Sequence, residues 1–259
     1  MFGLPLSING FINYLFITAR VSGILFTAPV YGSSSVDVRL RLFFSFILGY
    51  ILYSIKGDVT LENIDTVLIF IILIKEILIG IAMGVLGQFI FAGVQLGGQI
   101  IGFQMGFAVV DVIDPQSNIQ ASIIAQFQNI LMILIFLTIG GHLLIIKAIA
   151  YSFDAVPMGR FVFSDESYLF IVKLFANIFV IAIKLVAPVF VTLIVTHIVM
   201  GLIGRLIPQI NLLIVGFPLQ IAIGLTMLLV SLQLFYVAFE PIMHDYFQSI
   251  LTFFAMLGK

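Results

Sequence analysis

The chain of 259 residues is 62% hydrophobic and only 9% charged, with a mean hydropathy of +1.28, whereas soluble domains carry about 25% charged residues. It cannot cover itself with water-compatible surface and reads as a multi-span membrane protein. With 11 Lys and Arg against 12 Asp and Glu, the net charge of −1 supplies no basic face and excludes nucleic-acid binding. The lack of Cys removes disulfides, thiolate nucleophiles and thiolate metal sites, and His142, His197 and His244 are too scattered for a zinc motif. No metal, no cofactor and no enzymatic chemistry is expected.

In chain order, apolar stretches run over residues 11–30, 42–55, 67–91, 121–146, 168–200 and 212–239, six segments in all. The first Lys or Arg is Arg20, so the N-terminus lacks the basic opening of a signal peptide and residues 11–30 are expected to stay in the mature chain. The second segment is short for a span, and the fifth is too long for one straight helix and contains Pro188, which favours a kink. The clusters YGSSSVDVR, KGDVTLENID, DPQSN and VPMGRFVFSDES punctuate the segments, with Tyr31, Tyr53, Tyr151, Tyr168 and Tyr236 near the boundaries as interfacial anchors. Counting basic residues by loop sets Arg39, Arg41 and Arg205 against Lys56, Lys147, Arg160 and Lys259, which assigns no orientation. Beyond Pro241, the residues Met243, Tyr246, Phe247, Ile250, Phe254 and Leu257 recur at helical spacing opposite His244, Asp245, Gln248 and Thr252. This tail is an amphipathic helix with two open roles, lying at the membrane interface or docking on a partner.

Charges inside apolar segments are costly, about 2.5–3.5 kcal/mol each on insertion scales. Arg20, Lys75, Glu76, Lys173 and Lys184 therefore need partners, water or an interface to snorkel toward. Lys173 and Lys184 share a helix face, and no internal carboxylate serves both; partner subunits are one source of acceptors. Glu76 alone makes a weak proton relay, and His142 and His197 read as packing residues on apolar helices.

Glycine is the most organised residue type. Gly80, Gly84 and Gly87 share a helical face suited to close packing, and Gly98, Gly102 and Gly106 recur at i, i+4 and i+8. The second set lies in GGQIIGFQMGFAVVDVIDP, where Gln99 and Gln104 interrupt an apolar run that ends at Asp114-Pro115. Helix packing explains the glycines, but the polar spotting favours a movable or re-entrant segment surrounded by protein or a water-filled cavity. A second break, GLIGRLIPQINLLIVGFPLQ, reads as the tip of a helical hairpin, with Arg205 either solvated or able to cap carbonyls or bind a partner carboxylate.

The strings ARVSGILFTAPVYG, GQIIGFQMGFAVVDVIDPQS, GGHLLI, the SF and VPMG that follow it, and GRLIPQINLLIVGFPL stand in one order over nearly the whole chain. Together they resemble the FliR family of flagellar type III export-gate components, related to a virulence-secretion subunit; the DP after QMGFAVVDVI is closer to the flagellar branch. The resemblance implies an all-α integral membrane protein of about six apolar segments arranged as kinked helical hairpins. Residues 1–200 would be FliP-like with a plug over 93–115, and 201–259 would hold the hairpin tip, last apolar helix and tail of a FliQ-like hairpin that begins within 168–200. It further implies a core subunit in the bacterial inner membrane, at the flagellar basal body, forming with FliP and FliQ the pore for unfolded flagellar export substrates. FlhB and FlhA would associate, membrane lipids would surround it, and the closed helical assembly would sit high relative to the bilayer. The plug would comprise Gly98, Gln99, Gly102, Phe103, Gln104, Met105, Gly106 and Phe107, and the hairpin motif Arg205, Pro208, Gln209, Gly216 and Pro218. No residue would be catalytic, since an associated ATPase and the proton-motive force would supply energy. The competing readings are a solute or ion transporter with a broken-helix site, for which the glycine-rich element and Pro188 speak although it lacks paired carboxylates, a virulence-type export-gate subunit, and a purely structural membrane subunit, which leaves the polar spotting of Gln99 and Gln104 unexplained.

Overall fold

The computed structural model describes residues 7–33, 35–56, 65–107, 122–161, 163–209 and 211–258. Among them the regular structure is helical: α1 (Ile8–Thr27), α2 (Val38–Lys56), α3 (Thr66–Gln104), α4 (Ile123–Thr138), α5 (Gly141–Ala155), α6 (Asp165–Leu206) and α7 (Leu212–Leu257). The chain is an all-α membrane protein, and among the described residues 5 helices are long and apolar enough to span a bilayer, or up to 6 if the broken pair α4 and α5 counts as one span.

Local signals explain where the helices begin. The Ser7 hydroxyl accepts the Gly10 N–H at 2.9 Å and caps α1. Asp37 does the same for α2, its Oδ1 accepting the Arg39 N–H at 2.9 Å. That cap starts the helix at Val38 rather than Leu42, and the second segment becomes a 19-residue helix of ordinary spanning length instead of a short one. Arg41, now inside the helix, folds back to donate to the carbonyls of Val36, at 2.7 Å, and Ser33. The Ser164 hydroxyl accepts the Ser167 N–H at 3.2 Å and opens α6, with Asp165 and Glu166 in the first turn, where the helix dipole favours acid.

Three further expectations change. The apolar run at residues 67–91 continues as α3 for 39 residues to Gln104, so the stretch from Gly98 to Gln104 is helix rather than a re-entrant loop. Its glycines survive in a helix because they stand against neighbouring helices, and packing outweighs their intrinsic cost of about 1 kcal/mol. The fourth apolar segment is two helices, parted at Ile139 and Gly140, where Gly140 adopts φ +75° that a helix interior does not contain. The amphipathic tail is the end of α7, a 46-residue helix that passes Pro218 and Pro241. Its apolar face, from Met243 to Leu257, is buried within this chain, while His244, Asp245, Gln248 and Thr252 are exposed. Self-burial thus takes the face that the sequence offers to membrane or partner. Pro188 lies inside the continuous 42-residue α6, and its carbonyl accepts the Thr192 hydroxyl at 2.8 Å.

The chain packs as two compact units, each drawn from separated stretches. Residues 1–89, 140–174 and 246–259 make the first, and residues 90–139 and 175–245 the second. The first centres on Phe16, Ile17 and Val21 of α1, Ile79 and Leu86 of α3, Ile149 of α5, and Phe253 and Phe254 of α7. Two contacts lock the α7 end there: the Tyr246 hydroxyl donates to the Leu86 carbonyl at 2.9 Å, and the Phe253 ring stacks on Phe170. The second unit is built on Ile101, Met105, Ile124, Val186, Val189, Leu193 and Leu228.

Candidate functional site: a buried ion pair and a glycine-lined helix end

In the first unit, glycines let α1 and α3 approach until their backbones touch. A Cβ on Gly23 would lie 2.6 Å from the Ile77 carbonyl, one on Gly80 would lie 3.0 Å from the Gly23 Cα and strike the Arg20 carbonyl, and Gly84 and Gly87 face Ala28 and Pro29. The packing face formed by Gly80, Gly84 and Gly87 is therefore the seat of α1. This approach brings Arg20 onto Glu76. Arg20 Nε donates to Glu76 Oε2 at 2.5 Å, and both side chains are wholly buried.

The rest of the guanidinium is equally engaged. Nη1 donates to the Ser152 carbonyl at 2.8 Å and Nη2 to the Val156 carbonyl at 3.0 Å, while Cζ stands 4.2 Å over the Phe153 ring. Those carbonyls close the C-terminus of α5, so Arg20 also caps that helix and complements its dipole. The other Glu76 oxygen, Oε1, accepts the Gly159 N–H at 3.1 Å. Gly159, at φ +75°, is the third residue of a turn closed by the Arg160 N–H on the Pro157 carbonyl at 3.0 Å. A positive φ there suits glycine, which accounts for the VPMG string. Arg20 and Glu76 thus find their partners inside the chain, and no partner subunit is needed for either. An ion pair with its remaining hydrogen bonds satisfied is tolerable at this depth, where either charge alone would not be. Lys56 and Asp154 form a second, more exposed pair in the same unit.

The remaining intramembrane charges are left to their surroundings. Lys75 is half-buried, and Lys173 and Lys184 are exposed on α6; among the described residues none of the three forms an ion pair. Lys184 sits beside Ile183 and Val180, both exposed. His197 Nδ1 lies 2.9 Å from the Leu193 carbonyl one turn back, as a packing residue does, and His142 Nδ1 is buried without a hydrogen-bond partner.

In the second unit the end of α3 carries two glycine ladders rather than one. Gly93 and Gly97 face α6, where a Cβ would lie 3.1 Å from the Ile178 carbonyl and 2.6 Å from Val186 Cγ1 respectively. Gly98 and Gly102 face α4, with a Cβ on Gly98 2.5 Å from the Ala125 Cα and one on Gly102 striking the Ser122 hydroxyl. Gly106 does not continue that face. At φ +88° it ends the helix: its N–H donates to the Phe103 carbonyl at 3.0 Å and the Phe107 N–H to the Gly102 carbonyl at 3.1 Å, the bonding of a Schellman cap. A side chain there would meet the Phe217 ring at 2.5 Å.

The plug residues are split between two environments. Met105 and Ile101 are fully buried in the core, whereas Phe103 is 71% exposed, on the same side as exposed Gln95 and Gln99. Gln104 and Phe107 are half-buried. Phe103, Met105 and Phe107 therefore do not form one apolar surface. Residues 108–115 of the expected plug, including Asp114-Pro115, lie outside the described residues. The Gly93–Gly97 ladder was readable in AGVQLGGQ from its spacing, but Gln128 of α4 and Ser122 just before it carried no signal of their own.

Arg205, Pro208 and Gln209 are exposed where α6 ends at Leu206 and before α7 begins at Leu212, a helical hairpin tip as the punctuation suggests. The Asn211 carbonyl accepts the N–H groups of Ile214 and Val215 at 3.1 and 3.2 Å and starts α7. Gly216 and Pro218 stand apart from the tip inside α7, Gly216 buried against Met200 and Pro218 exposed.

Residues 11–246 match the family of bacterial export proteins, family 1. The chain is 32% identical over 254 residues to the flagellar biosynthetic protein FliR of Bacillus subtilis (strain 168), covering 97% of this chain and 98% of that one. It is 30% identical to the proteins of the same name from Escherichia coli (strain K12), over 83% of this chain and 82% of the relative, and from Aquifex aeolicus (strain VF5), over 88% of each. With the family match spanning its helices from α1 into α7, the chain belongs to the bacterial export proteins, family 1, and within them to the FliR family, as a component of the flagellar export apparatus.

Proposed function

We propose that this chain is a core subunit of the flagellar export gate, forming with FliP and FliQ, in the inner membrane at the basal body, the pore through which unfolded flagellar subunits cross. FlhB and FlhA associate with that gate, residues 1–200 hold the FliP-like region and 201–259 the tip, last helix and tail of a FliQ-like hairpin that begins within 168–200, and no residue of this chain catalyses a reaction. The observation that carries the reading is helix length. α3, α6 and α7 have 39, 42 and 46 residues, about 60–70 Å at 1.5 Å per residue, against a hydrocarbon core of about 30 Å. Tilt does not absorb a twofold excess, so apolar helix beyond the bilayer needs protein to cover it. A solute transporter is less well supported, because Glu76, its best relay carboxylate, is occupied by Arg20 and Gly159.

Co-expression with FliP and FliQ is expected to yield a stable hetero-oligomer that restores motility to a strain lacking its own copy. The chain alone is expected to aggregate, because Lys184 and the exposed apolar faces around it lack cover. A monodisperse, thermally stable monomer that does not associate with FliP or FliQ tells against the proposal.

Arg205 at the hairpin tip contacts a partner carboxylate in this assembly, and Pro208 shapes the turn. Lys keeps the charge but loses the planar two-pronged donor. Arg205→Lys is expected to lower complex yield several-fold and Arg205→Ala to lower it further, roughly in line with a lost charged hydrogen bond of about 1.5–3 kcal/mol. Parental yield and motility for both variants remove the assignment.

A further inference from the structure

Two polar groups, one on α4 and one on the residue before it, are sealed without hydrogen bonds against the glycine ladder of α3. Gln128 is 5% exposed and its carboxamide oxygen accepts nothing; the buried hydroxyl of Ser122 is likewise unpaired. Both point at glycine. A Cβ built on Gly98 would lie 2.8 Å from Gln128 Oε1, and one on Gly102 would strike the Ser122 hydroxyl and lie 3.1 Å from its Cβ. Ala125, between them in sequence, meets Gly98 at its Cα.

Buried polar groups in folded proteins are nearly always paired, and one that is not raises the free energy of the state that buries it. A permanent helix contact gains from apolar atoms at such positions. Here two acceptors are covered by Cα atoms that offer no conventional donor, so this closed contact carries a bias toward separation. The cover is also thin, because glycine presents no side chain that must be withdrawn for α3 to move off α4.

We propose that the contact of Gly98 and Gly102 with α4 is a releasable seam, closed at rest and parted during export, when Ser122 and Gln128 accept hydrogen bonds from backbone N–H groups of the extended polypeptide. This rests on the export-gate function proposed above. Backbone N–H groups are common to unfolded chains whatever their sequence, so the recognition is of an extended polypeptide as a class. A carboxamide and a hydroxyl bind such donors without the tight hold of a charge, which suits a chain that must keep moving.

The native chain contains no Cys, so Ser122→Cys places a single, nearly isosteric thiol beneath Gly102. In the assembled complex this thiol is expected to resist N-ethylmaleimide at rest and to react at least about tenfold faster when an export substrate is stalled in the pore. Equal labelling in the two states, or shielding in both, overturns the seam. Gln128→Leu keeps the bulk and removes the acceptor. It is expected to leave complex yield unchanged and slow export at least about fivefold, the lower end of what one unpaired buried group is worth. Parental export from a normally assembled Gln128→Leu complex counts against the proposal; where that variant lowers yield, the thiol measurement decides. A thiol shielded in both states while excision of residues 103–107 makes the complex leak removes the seam alone. A complex that stays ion-tight after that excision tells against the plug instead.

Discussion

Replacing Arg20 by Ala while Glu76 remains is expected to destabilise the protein by about 3–5 kcal/mol, the cost of stranding one member of a buried ion pair. The loss is larger than that of a surface bridge because two hydrogen bonds to backbone carbonyls and one ring contact disappear with it. Glu76 keeps its Gly159 N–H, but the Val156 carbonyl loses its donor, the Ser152 carbonyl is left with the Val156 N–H alone, and the Phe153 ring loses the guanidinium above it. Arg20→Lys should fall between parent and Arg20→Ala, since one ammonium cannot reach a carboxylate and two carbonyls in the fork arrangement of the guanidinium. Removing the acid as well, in Arg20→Met with Glu76→Gln, should recover part of the stability by eliminating the unpaired charge, though the Val156 carbonyl stays without its donor. Complex yield and melting temperature with FliP and FliQ, read together with motility, provide the measurement. An Arg20→Ala complex that forms at parental yield and melts at the parental temperature refutes the account of this site.

The second large effect concerns the end of α3. If the segment from Gly98 to Phe107 plugs the resting pore, excising residues 103–107 should raise the ion conductance of the assembled complex by about tenfold or more, because a polypeptide-wide pore without its plug fills with water. Met105 belongs to the core of the second unit, so the excision also threatens assembly, and complex yield must be followed in parallel. Phe103→Ala is the gentler variant: Phe103 is largely exposed, and its loss leaves Ile101 and Met105 in place. It is expected to assemble normally and to leak measurably. Gly102→Leu should act oppositely on export, since the new side chain has no room beside Ser122 and would hinder packing or opening. A normally assembled, ion-tight excision variant would leave helix packing as the whole role of these glycines.

Composition alone determined that the chain is helical and membrane-embedded, because 62% hydrophobic residues in runs of about twenty have no other way to satisfy their backbones in lipid. The positions of most helices, the packing face of Gly80, Gly84 and Gly87, the hairpin tip at Arg205 and Pro208, and the amphipathic pattern after Pro241 were also legible, since each is a local or periodic signal. The partners of those surfaces were not. Arg20 and Glu76 stand 56 residues apart in sequence, and only the close approach of α1 and α3 turns two costly charges into one satisfied pair. The same limit applies to Gly98, Gly102 and Gly106: their spacing promised one helix face, but the left-handed turn at Gly106 ends the helix there. The tail's apolar stripe was certain to be buried, yet whether lipid, a partner or the chain itself would cover it depended on where α7 ends in space. Periodicity specifies which side of a helix avoids water; the tertiary structure decides what that side meets, because burial is non-directional while hydrogen bonds and ion pairs require particular atoms to arrive together.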